Sequence, residues 1–193
     1  FKKNRINIYH DKKNKIINIK TISGRQNQNI ITKIDIHVPI NINISGNVKS
    51  GDIKISQIKG SINLVTQSLD ATLKNISGNI ILKNNGGNID LEKVNGQIDL
   101  SVISGHVSLS KCDGNITINI ENGNNTLSSI KGEINSATTL GETLVENFVG
   151  TKATFNINVG NLRLSNCNAN IDAKIDIGNI KIDKVDGDTN LYT

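Results

Sequence analysis

Asp90 and Glu92 are the residues of this 193-residue chain whose types and spacing first suggest chemistry. Two carboxylates separated by one residue share a face of an extended strand, and a close pair of acids can divide the work of general acid and general base. Lys74 and Lys93 stand near them in the repeat described below, so ordinary surface ion pairs are the simpler expectation. The histidines His10, His37 and His106 are far apart and lack metal-ligand spacing. His106 directly follows a glycine and reads as a solvated turn residue. No Gly-x-Ser-x-Gly elbow, phosphate loop or His-Glu-x-x-His occurs. The sequence therefore assigns no catalytic, metal-binding or cofactor-binding residue, and the expectation is a protein that is not an enzyme and needs no cofactor.

Charge is the other chemical resource. Residues 1–33 hold nine Lys or Arg against one Asp, while the chain as a whole carries +5, so the remainder is slightly acidic. Lys2, Lys3, Arg5, Lys12, Lys13 and Lys15 are the candidate anion contacts, suited to an anionic envelope polymer or lipid. A solvated basic leader with no partner is the plainer reading. No specific nucleic-acid motif is present. With no Trp, three Phe and two Tyr, aromatic platforms for bases or sugars are disfavoured. No apolar run of 18 residues exists to span a bilayer as a helix. The first residue, Phe1, suggests that a segment upstream has been removed, an export signal among the candidates.

All of these residues are positioned by a repeat. Gly51-Asp-Ile-Lys-Ile, Gly60-Ser-Ile-Asn-Leu, Gly78-Asn-Ile-Ile-Leu, Gly87-Asn-Ile-Asp-Leu, Gly96-Gln-Ile-Asp-Leu, Gly105-His-Val-Ser-Leu and Gly114-Asn-Ile-Thr-Ile share one nine-residue register. Glycine returns at 123, 132, 141 and 150, slips by one to 160, and returns at 178 and 187. Only Leu69 and Ala169 replace it. A fixed period of this kind predicts a stacked solenoid. Apolar third and fifth positions point inward, and the fourth points out.

The phrases alternate in kind. Those starting at 51, 69, 87, 105, 123, 141, 160 and 178 carry an apolar eighth residue: Ile58, Ile76, Val94, Cys112, Ile130, Phe148, Cys167 and Val185. The phrases between them tend to be apolar at the seventh position, as at Val102, Ile120, Ile157 and Ile175. The physical rung is thus eighteen residues, with two strands and two unlike turns. The fold class expected is all-β, a single-stranded parallel β-solenoid of the right-handed β-helix or β-roll type, with about eight rungs.

Three regions follow: residues 1–29, a basic N-terminal leader with edge strands; 30–50, a capping strand or strands; and 51–193, the solenoid. Strict alternation from Ile34 to Ile44, interrupted at Pro39, predicts strand structure there. The eighth-position column should stack in one buried line. Cys112 and Cys167 occupy that line three rungs apart, roughly 14 Å by strand spacing, beyond disulfide reach. Asn125, Ser136 and Thr143 put polar residues in inward slots, and an extra residue enters after Gly150. Leu140, Val159 and Ile177 are expected to continue the inward alternation and widen the tube, the alternative being an exposed apolar stripe. Calcium cages are not expected, because Gly86-Gly87 is the only double glycine and Asp90 and Asp99 sit in strands rather than turns.

The run His37-Val-Pro-Ile-Asn-Ile-Asn-Ile-Ser-Gly46, with Ser50-Gly-Asp-Ile-Lys-Ile, Ile76-Ser-Gly-Asn-Ile-Ile-Leu and Ile103-Ser-Gly-His-Val-Ser-Leu, resembles a bacterial family of unknown function described as adhesin-like. The resemblance covers about residues 30–191. It implies a β-solenoid in the cell envelope, periplasmic or extracellular, and no catalytic residues to carry over. The expectation is a non-enzymatic adhesive or scaffolding module that binds through a flat sheet face or the basic N-terminal region. A polysaccharide-acting β-helix enzyme is the alternative. The outward fourth positions Lys54, Thr72, Asp90, Ser108, Thr126, Leu144, Arg163 and Lys181 form a mixed ladder, which argues against ice or crystal binding.

Overall fold

The computed structural model describes residues 5–11, 16–22 and 38–193, the first two segments as backbone only. Two strands near the N-terminus, β1 (Arg5–Asp11) and β2 (Ile16–Ile22), pair antiparallel in a sheet of their own. A second sheet holds twelve strands: β3 (Ile44–Lys59), β4 (Ile62–Ser77), β5 (Ile80–Asn84), β6 (Ile89–Asn95), β7 (Ile98–Ser104), β8 (Val107–Asp113), β9 (Ile116–Asn122), β10 (Asn125–Leu140), β11 (Thr143–Val159), β12 (Leu162–Ile177), β13 (Ile180–Asp186) and β14 (Thr189–Tyr192). Every pairing in it is parallel, and partners lie about one rung apart: Ile62 faces Ile80, which faces Ile98, which faces Ile116. No described residue is helical. This is the eighteen-residue parallel solenoid that the sequence predicts, wound into about eight turns.

The eighth-position signature has a backbone cause. In β6, Ile89 and Leu91 are buried and Asp90 is exposed, as a period of two requires. Strict alternation would then turn Lys93 inward. Instead Lys93 takes the left-handed conformation, φ 56°, which shifts the phase by one and points Val94 into the core. The same device recurs in every rung, at Gln57, Asn75, Lys93, Lys111, Ser129, Asn147, Asn166 and Lys184, with φ between 52° and 59°. The side chains at these eight positions are exposed, so polar residues occupy them without burial cost.

Inward side chains stack in columns. Ile58, Ile76, Val94, Cys112, Ile130, Phe148 and Cys167 are buried, and the ladder register places them over one another. Val185 faces Cys167 but is only partly buried, because within the described residues no later rung covers it. On the other side of the core, Ser136, Phe155 and Ala173 face one another in that order. Two small residues thus flank the large ring, and the column keeps its volume. Gly150 serves Phe148 likewise, since a Cβ there would meet the Phe148 Cζ at 2.7 Å. The extra residue after Gly150 is absorbed by a register break between Val149 and Lys152.

Three expectations need adjustment. The alternation from Ile34 does not produce strand through to Ile44: Val38–Asn43 are irregular, and β3 begins at Ile44. Pro39 offers no N–H to a ladder, and the Ile40 carbonyl accepts from Lys59 N at 2.7 Å instead. Residues 44–50 pair with 62–68 as a ladder continuous with the rungs that follow, and residues 30–37 lie outside the described residues. Finally, Leu140, Val159 and Ile177 do not widen the tube. They stack in register yet stand 49%, 39% and 66% exposed. The chain turns at the glycine that follows each of them, with Gly141 N donating to Val159 O and Gly160 N to Ile177 O, so the last inward positions are Thr138, Ile157 and Ile175. They form the exposed apolar stripe.

Candidate functional site

The rungs present two broad outward faces. The first is formed by the phrases with the left-handed residue, and it is charged. Lys74 Nζ lies 3.0 Å from Glu92 Oε2, and that hydrogen bond and charge hold the Glu92 carboxyl below its ordinary range. Asp90, Glu92 and Lys74 share a shallow depression with Thr72, Leu91, Ser108 and Ser110. One carboxylate of the pair is thus tied to a lysine on an open surface, an arrangement that suits an ion pair better than acid–base work. Among the described residues, no group of three or more His, Cys, Asp or Glu is placed to hold a metal ion.

The second face differs in its centre. Thr117 and Asn119 of β9 face Asn135 and Ala137 of β10, which face Thr154 and Asn156 of β11. Thr139 and Asn158 extend the last two rows. None of these eight side chains is buried, and none is charged. Rows lie about 4.8 Å apart, and successive outward positions along a strand about 6.6 Å apart. The rungs beneath fix this spacing, since Ile116, Ile118, Ile120, Ile134, Phe155 and Ile157 on the opposite pleats are buried.

Charge returns at the margins. Glu121 continues the Thr117 and Asn119 row beside Thr139, Asp99 stands one rung before the patch, and Asp172, Lys174 and Asp176 stand one rung after. There Lys152 and Asp172 approach at 2.6 Å, and Lys174 and Asp176 at 3.0 Å. The carboxyl of Asp172 is held low by Lys152 and by the amide of Asn190. At one edge, Glu133 accepts from the Thr151 hydroxyl at 2.7 Å. The middle of this face is therefore an uncharged array of Thr hydroxyls and Asn amides around Ala137, framed by charged residues.

Reading only the outward fourth positions of the other set of phrases missed this array. Its signal lay in the intervening phrases, where positions 117, 119, 135, 137, 139, 154, 156 and 158 carry only Thr, Asn or Ala. The other candidates fare variously. Lys2, Lys3, Lys12, Lys13 and Lys15 lie outside the described residues, and Arg5 opens β1, where only the backbone is described. Cys112 and Cys167 are free and buried, and burial pushes both thiols up.

His106 is exposed but does more than meet solvent. Its Nδ1 accepts from Asn124 N at 3.2 Å. It belongs to a ladder in which the second residue of a phrase caps the backbone one rung on: Asp70 takes Asn88 N, Asn88 takes His106 N, and Asn124 takes Glu142 N. This ladder accounts for much of the Asn at turns.

The inward polar residues pair with one another or with the backbone, except the buried Oδ1 of Asn125, which has no partner. Asn84 reaches the carbonyls of Leu69 and Gly87 at 3.3 and 3.0 Å and receives the Thr66 hydroxyl at 2.7 Å. Asn125 donates to Ser136 Oγ at 3.1 Å. No helix among the described residues is long and apolar enough to cross a membrane, which says nothing of membrane crossing by strands. No family model matches the chain, and neither a curated protein nor a solved structure does.

Proposed function

We propose that this solenoid is a non-enzymatic binding module of the cell envelope or surface, adhesive or scaffolding in role, that engages a neutral, hydroxyl-rich polymer through its uncharged face. The carrying observation is the eight-residue array of Thr117, Asn119, Asn135, Ala137, Thr139, Thr154, Asn156 and Asn158, uncharged and framed by charge. Amide groups supply both donors and acceptors, and a rigid sheet loses little entropy on binding. A polymer with regularly spaced hydroxyls can match a grid of about 4.8 by 6.6 Å without aromatic stacking. The resemblance of the Ser-Gly-Asp-Ile and Ile-Ser-Gly-x-Ile turns to the adhesin-like bacterial family supports the location and the absence of catalysis.

Co-sedimentation with insoluble neutral glycans such as cellulose, chitin and mannan tests the proposal. Binding should persist at high salt, because screening acts on charge and not on this array. It should fall on the order of tenfold in an Asn135→Lys, Asn156→Lys double variant that melts normally, and stay unchanged in Glu92→Gln. Binding that vanishes at physiological salt and on deletion of residues 1–15 would move the contact to Lys2, Lys3, Arg5, Lys12, Lys13 and Lys15. Release of soluble sugar would replace the binding module with the polysaccharide-acting enzyme.

A further inference from the structure

Asparagine precedes glycine three times in the chain, at Asn85-Gly86, Asn95-Gly96 and Asn122-Gly123. Such pairs are chemically exposed: the glycine has no side chain to hinder attack of its amide nitrogen on the asparagine side-chain carbonyl. The attack requires that the nitrogen be free of its hydrogen bond and that the backbone be able to rotate toward the side chain. Folding treats the three pairs differently.

Two of them are locked in the ladder. Gly96 N donates to Asp113 O, and Gly123 N to Leu140 O, each at 2.9 Å. Asn95 is the last residue of β6 and pairs with Asp113, while Asn122 ends β9 between Ser104 and Leu140. Both glycines sit hard against the carbonyl of the glycine one rung earlier.

Asn85-Gly86 lies beyond the end of β5, a strand of five residues where the equivalent β7 has seven. Gly86 N makes only a 3.4 Å contact, to the side-chain Oδ1 of the neighbouring Asn84, at the weak limit of hydrogen bonding. The peptide groups around it are held, since Asn85 N donates to Thr66 O and Leu69 N to Gly86 O. The nucleophilic nitrogen itself is not held by the ladder. Asn85 is exposed, and a Cβ built on Gly86 would approach nothing closer than Gln67 O at 3.5 Å, which leaves room to turn.

We infer that Asn85 is a spontaneous deamidation site, the one Asn-Gly pair of the three that the native fold leaves reactive. Gly86 N, on losing its proton to solvent base, bonds to the Asn85 side-chain carbonyl carbon. The side-chain nitrogen leaves as ammonia and a succinimide ring remains. Water then adds to either ring carbonyl and opens the ring, giving aspartate or isoaspartate at position 85, with no change of oxidation state. The product carries a new negative charge. In the isoaspartyl form it also carries an added main-chain methylene in the one corner where Asn84, rather than a regular ladder, ties the turn together. Such an isoaspartyl residue suits enzymes that methylate isoaspartyl carboxylates.

Peptide mapping by mass spectrometry after prolonged incubation of the folded chain at mildly alkaline pH tests this. Aspartate and isoaspartate should build up at position 85 at least roughly tenfold faster than at 95 or 122, since those two need the ladder to open first. In concentrated urea the three rates should converge. Equal native rates at all three positions, or protection of Asn85 matching that of Asn95, would overturn the inference. So would a preference for Asn85 that survives unfolding, because local sequence would then be its cause. Asn85→Gln should abolish the native product while leaving the melting temperature unchanged.

Discussion

Each rung turns two corners, and the chain builds them differently. The corner leaving the charged face uses a left-handed residue with a side chain, such as Lys111 at φ 55°, and then an inward residue, Cys112. Both corners close on a glycine, Gly114 (φ 144°) after Cys112-Asp113 and Gly105 (φ 143°) where the chain returns to that face, but the returning corner has no left-handed residue with a side chain. A Cβ on Gly105 would overlap the carbonyl of Gly87 one rung below, whereas the side chain of Lys111 leaves freely into solvent. Positive φ alone therefore does not demand glycine here. Glycine is required where backbones of successive rungs stack too closely for a Cβ at positive φ. At Leu69 and Ala169 the backbone is not at positive φ, and Ala169 also lies at the register break between Val149 and Lys152.

Substitution at the two corners separates these causes. The largest effect is expected for Gly105→Ala. It combines an unfavourable φ with a backbone collision, and denaturant unfolding should show a loss of about 3 kcal/mol or more. A loss under about 1 kcal/mol would mean that the rungs can slide apart and that close stacking is not the constraint.

Lys111 should respond to shape at Cβ and not to polarity. Lys111→Val places a β-branched residue in the left-handed region and should cost about 1–2 kcal/mol. Lys111→Asn should be neutral or stabilising by a few tenths, since Asn tolerates that region. If both variants unfold alike, the corner relaxes out of the left-handed conformation, and the phase shift that buries Cys112 has another origin.

The smallest effect concerns the caps beside the glycine corner. Asn88→Ala removes the acceptor for His106 N, an exposed bond of 3.0 Å. It should lower stability by about 0.5–1.5 kcal/mol, and Asn88→Asp should restore most of it. Amide hydrogen exchange at His106 reads the same change locally. Unaltered exchange there would show that water replaces the cap at no cost.

Much of this molecule is legible without coordinates. The nine-residue glycine period and the alternation of apolar eighth and seventh positions set an eighteen-residue parallel rung, because side-chain direction along a strand follows largely from backbone geometry. The burial of Cys112 and Cys167 is legible from the apolar column they share with Ile58, Ile76, Val94, Ile130 and Phe148 at the rung period, although alternation alone would turn that position outward. Other features depend on contacts between residues one rung apart. The left-handed conformation of Lys93, Lys111 and Lys184 is invisible in residue types, since lysine has no preference for it, and is imposed by the need to turn Val94, Cys112 and Val185 toward the core. The exposure of Leu140, Val159 and Ile177 is decided by where the corner falls, against an apolarity that argued for burial. The uncharged face of Asn135 and its neighbours exists only when strands separated by eighteen or nineteen residues lie side by side. That alignment is set by the ladder hydrogen bonds, which no single strand can make alone.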